Sequence, residues 1–446
     1  MSERPAPAFL VPLLPVLAVV LLGAHAVRGG DLGLAAAWLF LAVLACTRQG
    51  WARLVVGLAL FAGSLFWVQT GVELVRFRMA SGADWHRLAI IMSMVTATAV
   101  AGWLSLLWSR GAVRYGHHAA TRHAQAAAFV LVVVLLGIAR MKARTVTLLL
   151  AERYLPGSGP LMLVLAGTYA AWATGQLLDR KRARKLRPRL WLAFSLVFFG
   201  QLALGLLGLE HMLMTGRLHL PIPALIVAGP LFRGDGLFML ILFGASVVLV
   251  GPAWCSHLCY VGAWDDVCAR ATRPRIGRGL ARWSWWVRVA VALLVFGTAA
   301  GLRLAGASTG MALVLASFFG LVSIGVMVGI SRRMGIMTHC ASFCPMGLLA
   351  NLAGRIAPWR IRIGQGCTRC HACVAVCLYG ALTPEILADT APKPGLTCTL
   401  CRECLAVCHH GALAFHAPGI SPGKAETVFV TLVVALHTVF LVVARV

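Results

Sequence analysis

CTRCHACVAVC (Cys367–Cys377) and CTLCRECLAVC (Cys398–Cys408) are two copies of one spacing, Cys-x2-Cys-x2-Cys-x3-Cys. Three thiolates so spaced wrap three corners of an iron–sulfur cube, and the fourth cysteine of each run ligates the other cluster. The spacing therefore predicts one [4Fe–4S] cluster on Cys367, Cys370, Cys373 and Cys408, and a second on Cys398, Cys401, Cys404 and Cys377. Two clusters in one small module serve to pass single electrons. A zinc site needs four ligands rather than a doubled run of eight. Disulfides need an oxidising compartment, and the loop charges argue against one.

Working outward, residues 360–422 carry Gly, Pro and Cys in place of long apolar runs, and Pro384, Pro392, Pro394, Pro418 and Pro422 interrupt any long helix. This segment reads as a small water-soluble α+β ferredoxin-like domain, tethered by a membrane span at each end. The rest is membrane in character. Of 446 residues, 60% are hydrophobic and only 12% charged, against about 45–50% and about 25% in soluble proteins. The net charge of +26 comes from 40 Lys+Arg against 14 Asp+Glu. In a membrane protein such an excess gathers in cytoplasmic loops. No nucleic-acid recognition motif accompanies it, so nucleic acid is set aside as a partner.

Apolar stretches near the length of about 20 residues that a spanning helix needs occur near 8–28, 32–47, 51–71, 88–108, 124–139, 161–178, 190–209, 236–253, 285–304, 311–330 and 426–445. The expected fold is an all-α polytopic membrane protein of about 11 transmembrane helices with the ferredoxin-like domain on the cytoplasmic side. The expected domains are N-terminal helices (1–189), a core (190–359), the two-cluster domain (360–422) and a last helix (423–446). Residues 1–26 resemble a signal peptide ending in Ala24-His25-Ala26. Another apolar stretch follows at once, so an uncleaved signal anchor is the expectation. The basic run Arg180, Lys181, Arg182, Arg184, Lys185, Arg187 and Arg189 marks the cytoplasmic side. Alternation then places the cluster module there too, in a bacterial inner membrane.

A second, weaker repeat lies upstream. Cys255 and Cys259 fall in PAWCSHLCYVGAW, and Cys340 and Cys344 in MTHCASFCPMGLL. Each pair is Cys-x3-Cys, each follows a span, and a glycine (Gly262, Gly347) closely follows each second cysteine. Residues four apart share a helix face, so Cys255, Cys259, Cys340 and Cys344 form a candidate third metal centre or cluster. His257 and His339 are substitute ligands, and paired thiols packing helix contacts are the plain alternative.

With these motifs, residues 190–446 resemble the membrane-bound polyferredoxins of the NapH and NosR type, which combine spans, two Cys-x3-Cys-Pro motifs and a two-cluster ferredoxin. Cys340-Ala-Ser-Phe-Cys344-Pro345 matches that motif, whereas Tyr260 stands where the first motif has Pro. Leu378 and His409 replace the Pro that usually follows each fourth cysteine. The resemblance implies an electron-transfer subunit of a larger oxidoreductase complex, with other redox subunits as partners. No Thr ends Ser81-Gly82-Ala83-Asp84, so covalent flavin is not expected.

Other residues have plainer readings. His25, His211 and His437 near or within spans are read as histidines bonded to neighbouring helices rather than as haem ligands. His117, His118 and His123, among Arg110, Arg114 and Arg122, read as a solvated loop. Glu210 with His211, or Asp265 and Asp266, are candidate proton acceptors for quinol, or else helix-end charges at the headgroups. Trp283, Trp285 and Trp286, beside Arg282 and Arg288, read as interfacial anchors, and Cys46 and Cys268 as buried thiols. No hydride-cofactor loop, molybdenum signature or phosphate-cradling motif occurs. The expected function is membrane electron transfer between the quinone pool, or a membrane or periplasmic redox partner, and the cytoplasmic clusters. An assembly or metal-reducing factor and a redox sensor are the other classes.

Overall fold

In the computed structural model the described residues are 13–47, 49–107, 119–143, 147–209, 220–272 and 278–443. In a bilayer each backbone N–H and C=O must be bonded within the protein, which leaves helices as the economical spanning element. Nine helices among the described residues are long and apolar enough to cross, from Gly50–Ala80 to Pro422–Val443. Two shorter apolar helices precede them, Leu13–Arg28 and Leu32–Cys46. The expected short fifth span belongs to a 24-residue helix, Ala119–Lys142, because its first turns are small and polar and escape a hydropathy reading.

The chain divides into two compact units, Met1–Gly175 and Gln176–Val446. In the first, Gly30 turns the chain at φ +80° between the two short helices, and Asp31 caps the second by accepting the Leu34 N–H at 2.8 Å. Val19, Leu22, Trp51, Val56, Leu60 and Leu106 form its core. At Gly102 a Cβ would stand 3.3 Å from the Leu14 carbonyl and from the Ala18 and Leu60 side chains, so the helices pack closely there. Cys46 is exposed at a helix end and Cys268 of the second unit is half-buried, correcting their reading as buried thiols.

In the second unit, Asp179 caps Arg180–Leu206 by accepting the Lys181 and Arg182 N–H groups. Two spans then run into short irregular segments that carry the cysteine pairs. Phe238–Val250 leads through Gly251–Ala253 into Trp254–His257. Thr309–Gly325 loosens into a π-turn at Val326–Ser331, and a second π-turn, His339–Phe343, holds Cys340. Such bulges are frequent at functional sites. The cysteine-rich segment is closed by two antiparallel strands, β1 (Arg360–Ile363) and β2 (Leu413–His416), paired Arg360 to His416 through Ile363 to Leu413. Phe415 of β2 is buried against Phe429 of the last helix, ring centres 4.5 Å apart, which seats the module on that helix.

Candidate metal centres

Each cysteine run bends through left-handed residues that are not glycine. Arg369 and His371 take φ 55° and 59°, and Leu400 and Arg402 take 55° and 68°. A non-glycine residue here costs about 1–3 kcal/mol and persists only where the surroundings enforce it. The same two positions of each run are affected, flanking its second cysteine. The bends turn backbone N–H groups inward as an anion-binding nest. Leu400 N–H points to the Cys398 sulfur, Glu403 N–H to Cys401, and Tyr379, Ala381 and Leu382 N–H to Cys377.

Two small matched cavities result. One is lined by Cys367, Cys370, Cys373 and Cys408. The other is lined by Cys377, Cys398, Cys401 and Cys404. Each therefore takes three cysteines from one run and the fourth from the other. Cys370 is exposed, while Cys404 is buried and within electrostatic reach of Cys373. The first site faces solvent and the second lies behind it.

The Cys-x3-Cys pairs also converge. The thiols of Cys255, Cys259, Cys340 and Cys344 all lie within electrostatic reach of one another. Their surroundings repeat. Val261 and Gly262 N–H point to the Cys259 sulfur, and Met346 and Gly347 N–H to Cys344, which caps the helix Pro345–Ala353. A Cβ on Gly262 would stand 3.0 Å from the Cys255 carbonyl oxygen, and one on Gly347 2.8 Å from that of Cys340. The chain thus passes close to a carbonyl three residues after each second cysteine, most tightly at Gly347.

Burial and the neighbouring thiols push Cys259 up to about 12, and burial pushes Cys340 and Cys344 upward. Burial also pushes Cys377 and Cys398 up to about 12. Such thiols stay protonated alone and ionise only against bound positive charge. A mononuclear zinc site draws four sulfurs to about 3.8 Å apart, from Zn–S bonds of about 2.3 Å. Among the described residues the one trio of ligand atoms within 4.8 Å is Asp265, His339 and Cys340. The cysteine sets are therefore spread more widely than a single zinc ion would hold them, and four-thiolate sets with inward N–H groups fit an iron–sulfur cube.

One buried cation completes the third site. Arg288 is 1% exposed, its Nε has no hydrogen-bond partner, and it faces the thiols of Cys255, Cys344 and Cys340. An unpaired guanidinium there is costly without an anion, and a cube with four thiolates carries negative charge. Arg288 is thus turned into the site and is no interfacial companion of Trp286, which is exposed.

The second and third sites adjoin. Ser256 Oγ donates to the Thr399 carbonyl at 2.9 Å, and Met337 N–H to the Leu378 carbonyl at 2.8 Å. Tyr379, buried between them, feels both Cys340 and Cys401. A charged quartet spans the same seam, with Arg187, Asp266 and Glu403 buried and Arg270 at its exposed edge. Arg187 lies 3.3 Å from Asp266 and 2.6 Å from Glu403, and Arg270 lies 2.6 Å from Asp266 and 2.5 Å from Glu403.

Asp265 and Asp266 therefore point into the protein rather than to the headgroups. Asp265 accepts the Cys340 N–H at 2.9 Å, and burial raises it to about 6 against hydrogen bonds from Ser331 and Cys340. Burial lowers His339 to about 4. His257 turns to Ser256 Oγ, 3.0 Å away, and His437 Nδ1 bonds the His257 carbonyl at 3.0 Å. Glu210, His211, His117 and His118 lie outside the described residues. Sequence reading missed Arg187, Arg270, Glu403 and Tyr379, although the last two sit within or beside the cysteine runs.

A family model described as a 4Fe-4S binding domain matches residues 236–279 and 311–364. No curated protein and no solved structure matches the chain significantly. The matched stretches contain Cys255, Cys259, Cys340 and Cys344 and stop before Cys367. The chain thus combines a 4Fe-4S binding region with the many apolar helices of a multi-pass membrane protein, a combination that suggests electron transfer.

Proposed function

We propose that this chain is an inner-membrane electron-transfer protein of the NapH and NosR type, with three [4Fe–4S] sites in a row. It relays electrons between the quinone pool, or a membrane or periplasmic partner, and the cytoplasm. The observation that carries the reading is the succession of three four-cysteine sets, adjoining through Cys373 and Cys404 and then through Tyr379 between Cys401 and Cys340. Each cluster, when bound, takes up and gives one electron at a time.

The chain's own residues supply placement. The left-handed bends aim N–H groups at the sulfurs, the glycines admit the Cys-x3-Cys turns, and Arg288 offsets negative charge. The quartet of Arg187, Arg270, Asp266 and Glu403 clamps module to membrane core. The cytoplasmic side is supported by the basic run, which meets the module at Arg187–Glu403, 2.6 Å, and through Glu426 of the last helix, 2.5 Å from Arg180 and 2.8 Å from Arg402. Alternation in eleven crossings is part of this reading.

Protein purified under argon is expected to hold about twelve iron atoms, four per cube. Redox-titrated EPR is expected to resolve three centres, reducible by a quinol analogue. Eight irons, with no change in the fourfold Cys→Ser variant of Cys255, Cys259, Cys340 and Cys344, would leave those pairs as packing residues.

A further inference from the structure

Beside the cluster cavities the second unit carries a wider concavity. It is an open groove of about 1000 Å³, walled by β1 and by the segment Asp389–Leu396. Cys367 and Cys398, the lead cysteines of the two runs, both line it. Its charge is one-sided. Arg355, Arg360, Arg362, Arg369 and Lys393 line it against a single carboxylate, Asp389. Arg360 is occupied in structure, donating to the carbonyls of Gly354, Ala357 and Arg355. Arg355, Arg362, Arg369 and Lys393 are exposed. Cations kept close together on a concave surface repel unless something anionic uses them, and such a cleft focuses potential and speeds arrival of an opposite charge.

We propose that this groove is the docking seat for an acidic, water-soluble one-electron carrier protein. The proposal rests on the cluster reading above. A lipid headgroup would also meet the basic rim, but it has no use for two lead cysteines in the groove lining. A redox partner must come close to a centre, and the most exposed cysteine of the module, Cys370, follows directly on Arg369. A reduced carrier seated there gives one electron to the centre held by Cys367, Cys370, Cys373 and Cys408. The carrier is oxidised by one electron, that centre is reduced by one, and no bond or proton changes. Flow in the other direction uses the same seat.

The test uses the full-length protein in neutral phosphatidylcholine nanodiscs, with a photoreduced acidic plant-type ferredoxin as probe and stopped-flow detection. The second-order rate is expected to fall about tenfold or more between about 50 and about 500 mM NaCl. It is expected to fall as far in the Arg355→Glu, Arg362→Glu, Lys393→Glu variant, with iron content and EPR unchanged and reduction by cationic methyl viologen no slower. Intact clusters with an unaltered ferredoxin rate would overturn the docking seat alone. Absence of iron from the Cys367 set in the unmodified protein would instead remove the cluster reading beneath it. If salt and variant effects appear only when anionic phosphatidylglycerol is added, the groove binds headgroups and the proposal fails.

Discussion

Arg288 shows how much one buried charge can specify. Four thiols and a guanidinium that finds no partner for its Nε make little sense as packing. They make sense together once the sulfurs are anionic and share a centre. A nearby positive charge favours the more reduced, more negative state, so its loss lowers the potential. Arg288→Leu is expected to lower the midpoint of the third centre by roughly 60 mV, about a tenfold change for one electron. Arg288→Lys is expected to recover most of the difference. Redox-titrated EPR reads both variants, and an unmoved midpoint would mean that the guanidinium faces no redox centre. The crossing of the ferredoxin runs is likewise open to one substitution. Cys408 shares a cavity with Cys367, Cys370 and Cys373, so Cys408→Ser is expected to perturb that EPR signal and spare the other. The opposite outcome would undo the crossed scheme.

Among the elements, the two Cys-x3-Cys turns are a repeat in three dimensions. Each second sulfur accepts N–H groups from the second and third residues onward, and each glycine sits against the carbonyl of its pair's first cysteine. A methyl at Gly347 would meet the Cys340 oxygen at 2.8 Å and the Arg288 guanidinium at 2.9 Å, so the turn must open. Gly347→Ala is expected to cost about 1–3 kcal/mol and to drop the iron content from about twelve to about eight, with both ferredoxin signals retained. Full iron in that variant would show the turn to be tolerant. This repeat was legible because cysteine spacing and nearby glycines are local in sequence. The quartet was not legible, since Arg187 and Glu403 stand 216 residues apart and a charged residue in a basic loop carries no mark of its partner. Asp265 and Asp266 misled for the same reason: a helix-start carboxylate suggests a headgroup charge until the chain opposite is known.

For the whole molecule, the question is whether the three sites form one path. The seam between the ferredoxin module and the membrane core is held by buried charge. Arg187 is buried between Asp266 and Glu403 and also donates to the Ser256 carbonyl at 2.8 Å. Removing one partner from such a pair costs about 3–5 kcal/mol, so Arg187→Leu is expected to make the 360–422 module markedly more sensitive to protease in nanodiscs. The sites also differ in exposure. The set with Cys370 meets solvent, whereas Cys255, Cys259 and Cys344 are buried beyond Tyr379. A reductant in water therefore reaches the first set directly, whereas the proposed quinol route runs through the third set. The fourfold Cys→Ser variant of Cys255, Cys259, Cys340 and Cys344 separates the two routes. Dithionite is expected to reduce both ferredoxin centres in it at the unmodified rate. A decyl quinol is expected to reduce them at least about tenfold more slowly, because the intervening step is gone. Equal quinol rates in variant and unmodified protein would show that electrons bypass the Cys-x3-Cys site, leaving the ferredoxin module to be served from another surface.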